Sequence, residues 1–259
     1  MRIACGIEYD GTGFSGWQRQ PGSRTLQGEV EKALSFVADH AVEVACAGRT
    51  DAGVHATSQV VHFDATAVRS ERSWLLGANA NLADDVRLLW VREVDGDFHA
   101  RFSAAARRYR YIILNRPVAS ALERSRVTWD HRPLDETRMA AGAAYLLGEH
   151  DFSSFRALAC QAKHPVRTVH RLDVSRSGPY VYLDVEANAF LHHMVRNIAG
   201  VLMAVGRGDQ RPEWVREVLE RRDRTRGGVT APASGLYLVG VRYPQRYGIA
   251  DCGHLPRFG

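Results

Sequence analysis

The sequence predicts a mixed α+β fold of two similar halves, each a mainly antiparallel four-stranded sheet with helices on one face. Apolar residues alternate at strand spacing in some segments and recur at helical spacing in others. The order strand, helix, strand, strand, helix, strand occurs in residues 1–105 and again in residues 106–244. This repetition predicts that the halves join into a larger sheet around a central basic cleft.

Apolar spacing locates the elements of each half. Thr25 suits an N-cap because its hydroxyl can accept a hydrogen bond from the first turn of a helix. The elements expected in the first half lie at residues 2–9, 26–37, 42–46, 59–63, 73–81 and 86–94. Those expected in the second half lie at residues 109–114, 135–147, 169–175, 180–186, 190–205 and 236–243, with an added helix at 212–222. Residues 245–259 carry Gly and Pro without periodicity and predict a surface tail.

Composition favours a globular protein of the cytosol. The chain has 259 residues, of which 45% are hydrophobic, enough for one large core or two moderate ones. Glu8 and Asp10 interrupt the N-terminal segment, and no uncharged apolar stretch is long enough to span a bilayer, so no membrane partner is expected. The four cysteines form no C-x-x-C pair, which argues against a disulfide framework or a zinc knuckle.

The positive charge is compatible with a nucleic-acid partner without establishing one. The net charge is +5, and of the 34 basic residues only Lys32 and Lys163 are lysines. Arginine contacts phosphate through two donors and stacks on bases, which favours nucleic-acid binding. A GC-rich genome would enrich arginine equally well, so charge alone decides nothing.

Gly11, Gly13 and Gly16 match the G-x-G-x-x-G spacing of dinucleotide-binding loops, which would support a nucleotide-dependent oxidoreductase. Asp10 would set a negative charge beside the phosphates, and Pro21 interrupts any helix that could receive them. A turn is therefore the better interpretation of these glycines.

Three side chains of this turn are candidates for substrate contact. Phe14 and Trp17 can stack on bases, and the amide of Gln18 can hydrogen-bond to them. A hydrophobic anchor for the loop explains the two aromatic residues about as well.

Asp51 is the main candidate for chemistry. The segment G-R-T-D-A-G-V-H-A at 48–56 sets its carboxylate between Gly48 and Gly53 at a strand end, where the backbone can hold a strained turn. This arrangement suits the presentation of a nucleophile. The alternative is that Asp51 only bonds the amides of its own turn.

Arg196 is the second candidate, because it is the only formally charged residue in 189–206. It lies opposite the apolar stripe of its predicted helix, so both faces of that helix are expected to be buried. A buried guanidinium needs a carboxylate or an anionic ligand. Asp51 is a natural partner, and pairing would keep its carboxylate ionised at neutral pH. A purely structural ion pair is the alternative.

The run R-R-Y-R-Y from Arg107 opens a strand whose alternation sets Tyr109 and Tyr111 on one face and Arg108 and Arg110 on the other. Aromatic rings interleaved with arginines suit a base stacked beside a phosphate backbone. An ordinary strand whose arginine stems cover apolar surface is the alternative, and the same applies to the segment at 98–102.

The histidines do not predict a metal site. His55, His99, His192 and His193 lack the glutamate and spacing of H-E-x-x-H or of the zinc deaminases. No metal is therefore expected.

Seven segments, in order over nearly the whole chain, resemble the TruA family of tRNA pseudouridine synthases. They are Y-D-G-T-G-F-S-G-W-Q from Tyr9, A-G-R-T-D-A-G-V-H-A from Ala47, F-H-A-R-F-S from Phe98, R-R-Y-R-Y from Arg107, D-F-S-S-F-R from Asp151, A-F-L-H-H-M-V-R-N-I from Ala189 and G-L-Y-L from Gly235. The most specific are R-T-D-A-G-V-H-A and H-x-M-V-R-N-I.

The resemblance implies an isomerase that converts uridine to pseudouridine in the anticodon arm, at tRNA positions 38 to 40, as a homodimer and without a cofactor. It implies that Asp51 is the nucleophile, that Arg196 pairs with it, and that Arg49 helps to flip the nucleotide. It also implies that Tyr109 packs against the uracil as a candidate base and that Leu236 packs near the ring. Further candidates for tRNA contact are His99, Arg101, Gln161 and Lys163. The alternative is a catalytically silent RNA-binding protein of the same fold.

Overall fold

The computed structural model describes residues 1–160, 162–250 and 253–258, and the chain divides into two compact units. The first unit comprises Met1–Arg107 and Tyr237–Leu255, and the second comprises Arg108–Leu236 and Pro256–Gly259. The domain division at residues 105 and 244 remains a prediction, and the units differ from it in where the last strand belongs.

The elements match the predicted order, which confirms the mixed α+β class with mainly antiparallel strands. The strands are β1 (Arg2–Tyr9), β2 (Ala45–Cys46), β3 (His55–Asp64), β4 (Val86–Val94), β5 (Ala106–Asn115), β6 (Thr128–Asp130), β7 (Gly148–Asp151), β8 (Val166–Ser177), β9 (Tyr180–Ala187) and β10 (Leu236–Arg242). The helices are α1 (Leu26–Ala38), α2 (Glu71–Asn81), α3 (Glu136–Ala143), α4 (Met194–Gly206) and α5 (Trp214–Arg221). Among the described residues, no helix combines the length and the apolar character needed to cross a membrane.

In the first unit, β1 lies between β3 and β4 and is antiparallel to both. Helix α1 begins after Thr25, whose hydroxyl accepts a hydrogen bond from Gly28 N as predicted. It packs against α2, and Trp74 of α2 meets Phe63 of β3 edge to face at 5.2 Å. This core fixes β3, the strand that begins where the Asp51 loop ends.

In the second unit, the strand order is β5, β9, β8, β7, and β6 runs parallel to β5. Strands β8 and β9 form an antiparallel hairpin, with Ser177 opposite Tyr180. Helix α3 packs against α4 and β8. Strands β6 and β7 are short and carry no alternation long enough to predict them.

Strand β10, helix α4 and strand β2 differ from the sequence prediction. Strand β10 was expected in the second half, but it pairs in parallel with β3, with Tyr237 opposite His55. Helix α4 begins at Met194 and not near residue 190, because His193 adopts a left-handed φ of 62° that cannot continue into a helix. Strand β2 has only two residues, shorter than the alternation at 42–46 predicts.

The described part of the tail, residues 245–250 and 253–258, is more closely packed than the surface extension that the sequence predicts. The Tyr247 side chain is buried. In the first unit, the Thr57 hydroxyl donates to His254 O at 2.8 Å. In the second unit, the Tyr182 hydroxyl donates to Phe258 O at 3.0 Å. The described part of the tail therefore packs on the strands of both units.

Candidate active site

Asp51 lies in the loop between β2 and β3 of the first unit and is half-buried. Val54 N donates to Asp51 O at 3.2 Å, which closes a four-residue turn. Gly53 occupies the third position of that turn with a φ of 76°, a conformation that favours glycine. Gly53 therefore permits the strained turn that the sequence predicts beside Asp51.

The glycine turn at 11–16 braces this loop. Gly16 has a φ of 89°, and a Cβ there would lie 2.9 Å from Thr50 O and 3.1 Å from Ala52 N. Trp17 N donates to Thr50 O at 3.0 Å. At the other end of the loop, a Cβ on Gly11 would lie 1.9 Å from Val54 O. The glycines allow backbone to approach backbone on both sides of Asp51.

The same geometry argues against a dinucleotide loop. Residues Gly11–Gly13 form a single 3-10 turn, capped by the Asp10 carboxylate, which accepts from Thr12 N. The next helix, α1, begins only at Leu26. Within residues 16–25, all of which the structure describes, no helix begins that could receive a pyrophosphate.

The aromatic residues of this turn are internal. Trp17 is 2% exposed and packs against Tyr9 at 6.1 Å between ring centroids. Phe14 is 4% exposed, and the Arg24 guanidinium lies 4.1 Å over its ring. The packing of Trp17 on Tyr9 and of the Arg24 guanidinium over Phe14 favours the hydrophobic-anchor interpretation over stacking on bases. Gln18 is exposed, so it remains a candidate for RNA contact.

His55 is a positioning residue that the sequence analysis considered only as a metal ligand. Its Nδ1 lies 3.1 Å from Gly11 N and 3.2 Å from Asp10 Oδ1. Its ring stacks on Tyr237 of β10 at 4.7 Å and 22°. Hydrogen bonding to His55 holds the pKa of the Asp10 carboxyl well below its usual range. His55 thus joins the glycine turn, β3 and β10 at the end of the Asp51 loop.

In the second unit, Tyr109 projects from β5 and is 7% exposed. Its ring meets Phe190 edge to face, at 5.0 Å and 83°. Tyr111, two residues on, is fully buried and donates to Pro232 O at 2.8 Å. The two tyrosines are therefore held by packing, as expected for a rigid ring surface.

The arginines of the same strand are largely committed to internal bonds. Arg110 pairs with Asp184 through two contacts at 2.6 and 2.7 Å, and its guanidinium lies 4.7 Å over the Tyr182 ring. In the first unit, Arg107 is buried and donates to Ala47 O at 3.0 Å. These bonds favour a structural role for Arg107 and Arg110 over contact with phosphate, because protein acceptors occupy their guanidinium donors.

Arg196 is half-buried on α4. Its Nε donates to Ala231 O at 2.9 Å, and Ala231 N donates back to Arg196 O at 3.1 Å. One turn later, a Cβ on Gly200 would lie 1.7 Å from Val229 O. A chain segment therefore crosses the α4 face opposite the apolar stripe, which agrees with the expectation that both faces are covered.

Leu236, at the start of β10, is buried. Gly235 precedes it, and a Cβ there would lie 2.7 Å from Ile112 O of β5. This close approach fixes Leu236 within the second unit.

The remaining candidates lie on the surface or outside the described residues. Arg49 is exposed two residues before Asp51, and Lys163 is exposed shortly before β8. His99 and Arg101 occupy the turn after β4, where His99 Nδ1 accepts from Arg101 N at 3.1 Å. Gln161 lies outside the described residues.

Comparison with known proteins identifies the family. The family model described as tRNA pseudouridine synthase matches residues 6–103 and 143–244. The chain belongs to the tRNA pseudouridine synthase family. The first match contains Asp51, the second contains Arg196 and Leu236, and Tyr109 falls between them.

Curated relatives match nearly the whole chain. The tRNA pseudouridine synthase A of Methylococcus capsulatus is 66% identical, over 99% of this chain and 96% of its own length. That of Nitrosococcus oceani is 60% identical over 95% of each, and that of Coxiella burnetii is 57% identical over 95% of this chain and 94% of its own. One chain of a solved Cbf5-Nop10-Gar1 complex aligns with 91% of this chain and 48% of its own at 13% identity, with a TM-score of 0.40.

Proposed function

We propose that this tRNA pseudouridine synthase family member isomerises uridine to pseudouridine at tRNA positions 38 to 40, in the anticodon arm, with Asp51 as the nucleophile. The observation that carries the proposal is the construction of the Asp51 loop. Gly11, Gly16 and Gly53 each allow a backbone approach or a φ that a side chain would forbid. A turn that only bonded its own amides would not need backbone support on both sides.

The reaction balances within one nucleotide. The bond between uracil N1 and the sugar breaks, the uracil turns, and its C5 bonds to the same sugar carbon. The C5 hydrogen leaves as a proton and N1 gains one, so nothing is oxidised or transferred in, and we expect neither a cofactor nor a metal. The Asp51 carboxylate can add to the sugar carbon or to the uracil ring, and both routes require it ionised.

We assign the other roles from chemistry and family membership. Tyr109, held edge to face against Phe190, packs on the uracil and is the candidate base for the C5 proton. Leu236 packs near the same ring. Arg196 pairs with Asp51, with its guanidinium oriented by the Nε bond to Ala231 O.

RNA binding is assigned to exposed polar residues. Flipping a base out of its stack costs a few kcal/mol, and arginine contacts to phosphate offset that cost. Arg49 is suited to this because it is exposed and lies two residues from the nucleophile. His99, Arg101, Gln161 and Lys163 are assigned to tRNA contact, and a homodimer in the cytosol completes the proposal.

Substitution of Asp51 tests the proposal. Asp51→Asn keeps the size of the side chain and removes the charge, so tritium release from tRNA labelled at uracil C5 should fall at least about a thousandfold. Binding of the same tRNA should remain within a few-fold of wild type. Asp39→Asn is the control, because Asp39 is an exposed carboxylate at the left-handed end of α1, where Asn is well tolerated.

Two results would contradict the proposal. Release by Asp51→Asn at the wild-type rate would exclude Asp51 as the nucleophile. A wild-type chain that binds tRNA but releases no tritium would instead support the silent RNA-binding alternative.

A further inference from the structure

The turn after β4 presents an exposed aromatic ring on a well-bonded backbone. Phe102 is 75% exposed. His99 Nδ1 accepts from Arg101 N at 3.1 Å and from Phe102 N at 3.3 Å, and Ser103 N donates to His99 O at 2.8 Å. The Ser103 hydroxyl accepts from His99 N at 2.9 Å. These bonds fix the backbone from which the Phe102 ring projects.

The Phe102 ring is the outer member of a cluster of three rings in tilted contact. Its centroid lies 4.3 Å from that of His99, with the planes at 35°, and the His99 ring lies 4.5 Å from that of His62, with the planes at 59°. The Arg101 guanidinium lies 5.5 Å from the Phe102 centroid. RNA-binding proteins stack unpaired bases on exposed aromatic rings that pack against other side chains and have a cation nearby.

One exposed cation lies beside the ring, that of Arg101. The Arg2 guanidinium pairs with the Asp64 carboxylate and also donates to Gly96 O at 2.7 Å and Phe98 O at 3.0 Å, so it holds the start of the turn. Burial lowers the pKa of His62 to about 4, and burial also lowers the pKa of His99, so both rings are neutral at pH 7. Neutral rings beside the exposed Arg101 guanidinium suit a base attached to a phosphate.

The turn is mechanically coupled to the Asp51 loop. The Arg107 guanidinium donates to Arg101 O and also to Ala47 O, at 3.0 and 3.2 Å. Ala47 is four residues from Asp51, a chain span of at most about 14 Å. The shared Arg107 guanidinium therefore ties the turn that carries Phe102 to the start of the proposed catalytic loop.

We propose that His99, Arg101 and Phe102 form an aromatic platform that stacks an unpaired nucleobase of the RNA substrate. The inference rests on the proposed function for the identity of the substrate as tRNA. Phe102 supplies the stacking face, His99 supports the ring, and Arg101 contacts a neighbouring phosphate. In residues 90–117, all of which the structure describes, Phe102 is the only large hydrophobic side chain that is exposed. A single exposed ring beside the Arg101 guanidinium fits a base better than an apolar protein partner.

Three substitutions separate stacking from apolar contact. Phe102→Trp keeps a stacking face, whereas Phe102→Leu keeps apolar volume without one and Phe102→Ala removes both. The matched control is Phe36→Ala, because Phe36 is 73% exposed on α1 of the same unit. Binding of each full-length variant is measured with a whole tRNA and with a perfectly paired RNA stem that has no unpaired bases.

We expect Phe102→Ala and Phe102→Leu to raise the Kd for tRNA by about 5-fold to 150-fold, the range that stacking of one base represents. Phe102→Trp and Phe36→Ala should bind tRNA like wild type, and all variants should bind the paired stem equally. The thermal midpoints should be unchanged because the Phe102 ring is exposed.

A wild-type Kd for Phe102→Leu or Phe102→Ala would overturn the platform. The platform would also be overturned if Phe102→Ala changed the oligomeric state in sedimentation but left the Kd for tRNA unchanged. That result would assign the ring to a contact between copies of the chain. Tritium release by the wild type, measured in parallel, keeps the two proposals distinct. If the wild type releases tritium and Phe102→Ala binds tRNA with the wild-type Kd, the platform alone is rejected. If the wild type releases no tritium and Phe102→Ala has a raised Kd, the proposed function alone is rejected.

Discussion

Gly16→Ala tests whether the glycine turn positions Asp51. The substitution puts a Cβ at a φ of 89°, which costs about 1–2 kcal/mol for a residue other than glycine. The Cβ would also lie 2.9 Å from Thr50 O and 3.1 Å from Ala52 N, so the loop must move by roughly half an ångström. Because a displacement of about 1 Å can cost roughly 100-fold in rate, we expect kcat to fall about tenfold.

The assay separates this effect from simple destabilisation. Gly22→Ala is the matched control, since Gly22 has a φ of 71° but no atom within 4 Å of the added Cβ. Both variants should lose about 1–2 kcal/mol in urea denaturation, from the left-handed conformation. Tritium release should show a lower kcat with little change in KM for Gly16→Ala, and wild-type values for Gly22→Ala. Equal kcat in the two variants would refute the positioning role of the turn.

Three further predictions concern pH, metal and the tail. The folded-state pKa of His62, about 4, lies below its ordinary 6.5 because the ring is buried, so the unfolded chain binds this proton more tightly. The free energy of unfolding should therefore be unaffected by His62 above pH 6.5 and fall as the pH drops from 6.5 to 4, and His62→Gln should flatten that slope in urea titrations. Prolonged EDTA treatment should leave tritium release unchanged. A loss that added divalent ion restores, under conditions where the tRNA stays folded, would contradict our expectation that the reaction needs no metal. Removal of Pro256–Gly259 takes away the acceptors that Tyr182 and Arg110 use, so we expect a loss of about 1–2 kcal/mol in stability with kcat retained.

Local chemistry was predictable from the sequence. Thr25 caps α1, and Gly53 takes the positive φ that a turn beside Asp51 requires. Both features depend only on neighbouring residues, and the residue types at those positions are specific for them. The same holds for the strands whose alternation extends over many residues, such as β1 and β4.

Features set by distant residues were not predictable. The alternation of the sequence assigned Arg110 to one face of a strand. That its guanidinium pairs with Asp184 depends on the pairing of β5 with β9, which the alternation does not show. Trp17 and Phe14 could equally have been anchors or base-stacking rings, and only the packing against Tyr9 and Arg24 distinguishes these uses. Histidine is compatible with a helix, so nothing in the sequence marks His193 as a boundary. Its φ of 62° nevertheless delays the start of α4 to Met194.

The pairing of β10 with β3 has a consequence for biosynthesis. Tyr237 and Leu238 hydrogen-bond along the start of β3, and Tyr237 also supplies the ring beneath His55. At roughly 5–20 residues per second, the ribosome needs about 10 to 35 seconds to reach these residues after β3 is made. During that interval the nascent N-terminal segment carries an open strand edge next to the Asp51 loop, an edge of the kind that promotes aggregation. The Asp51 loop therefore gains its full support only after Tyr237 and Leu238 have been made, so chains terminated before residue 237 should be inactive and dependent on chaperones.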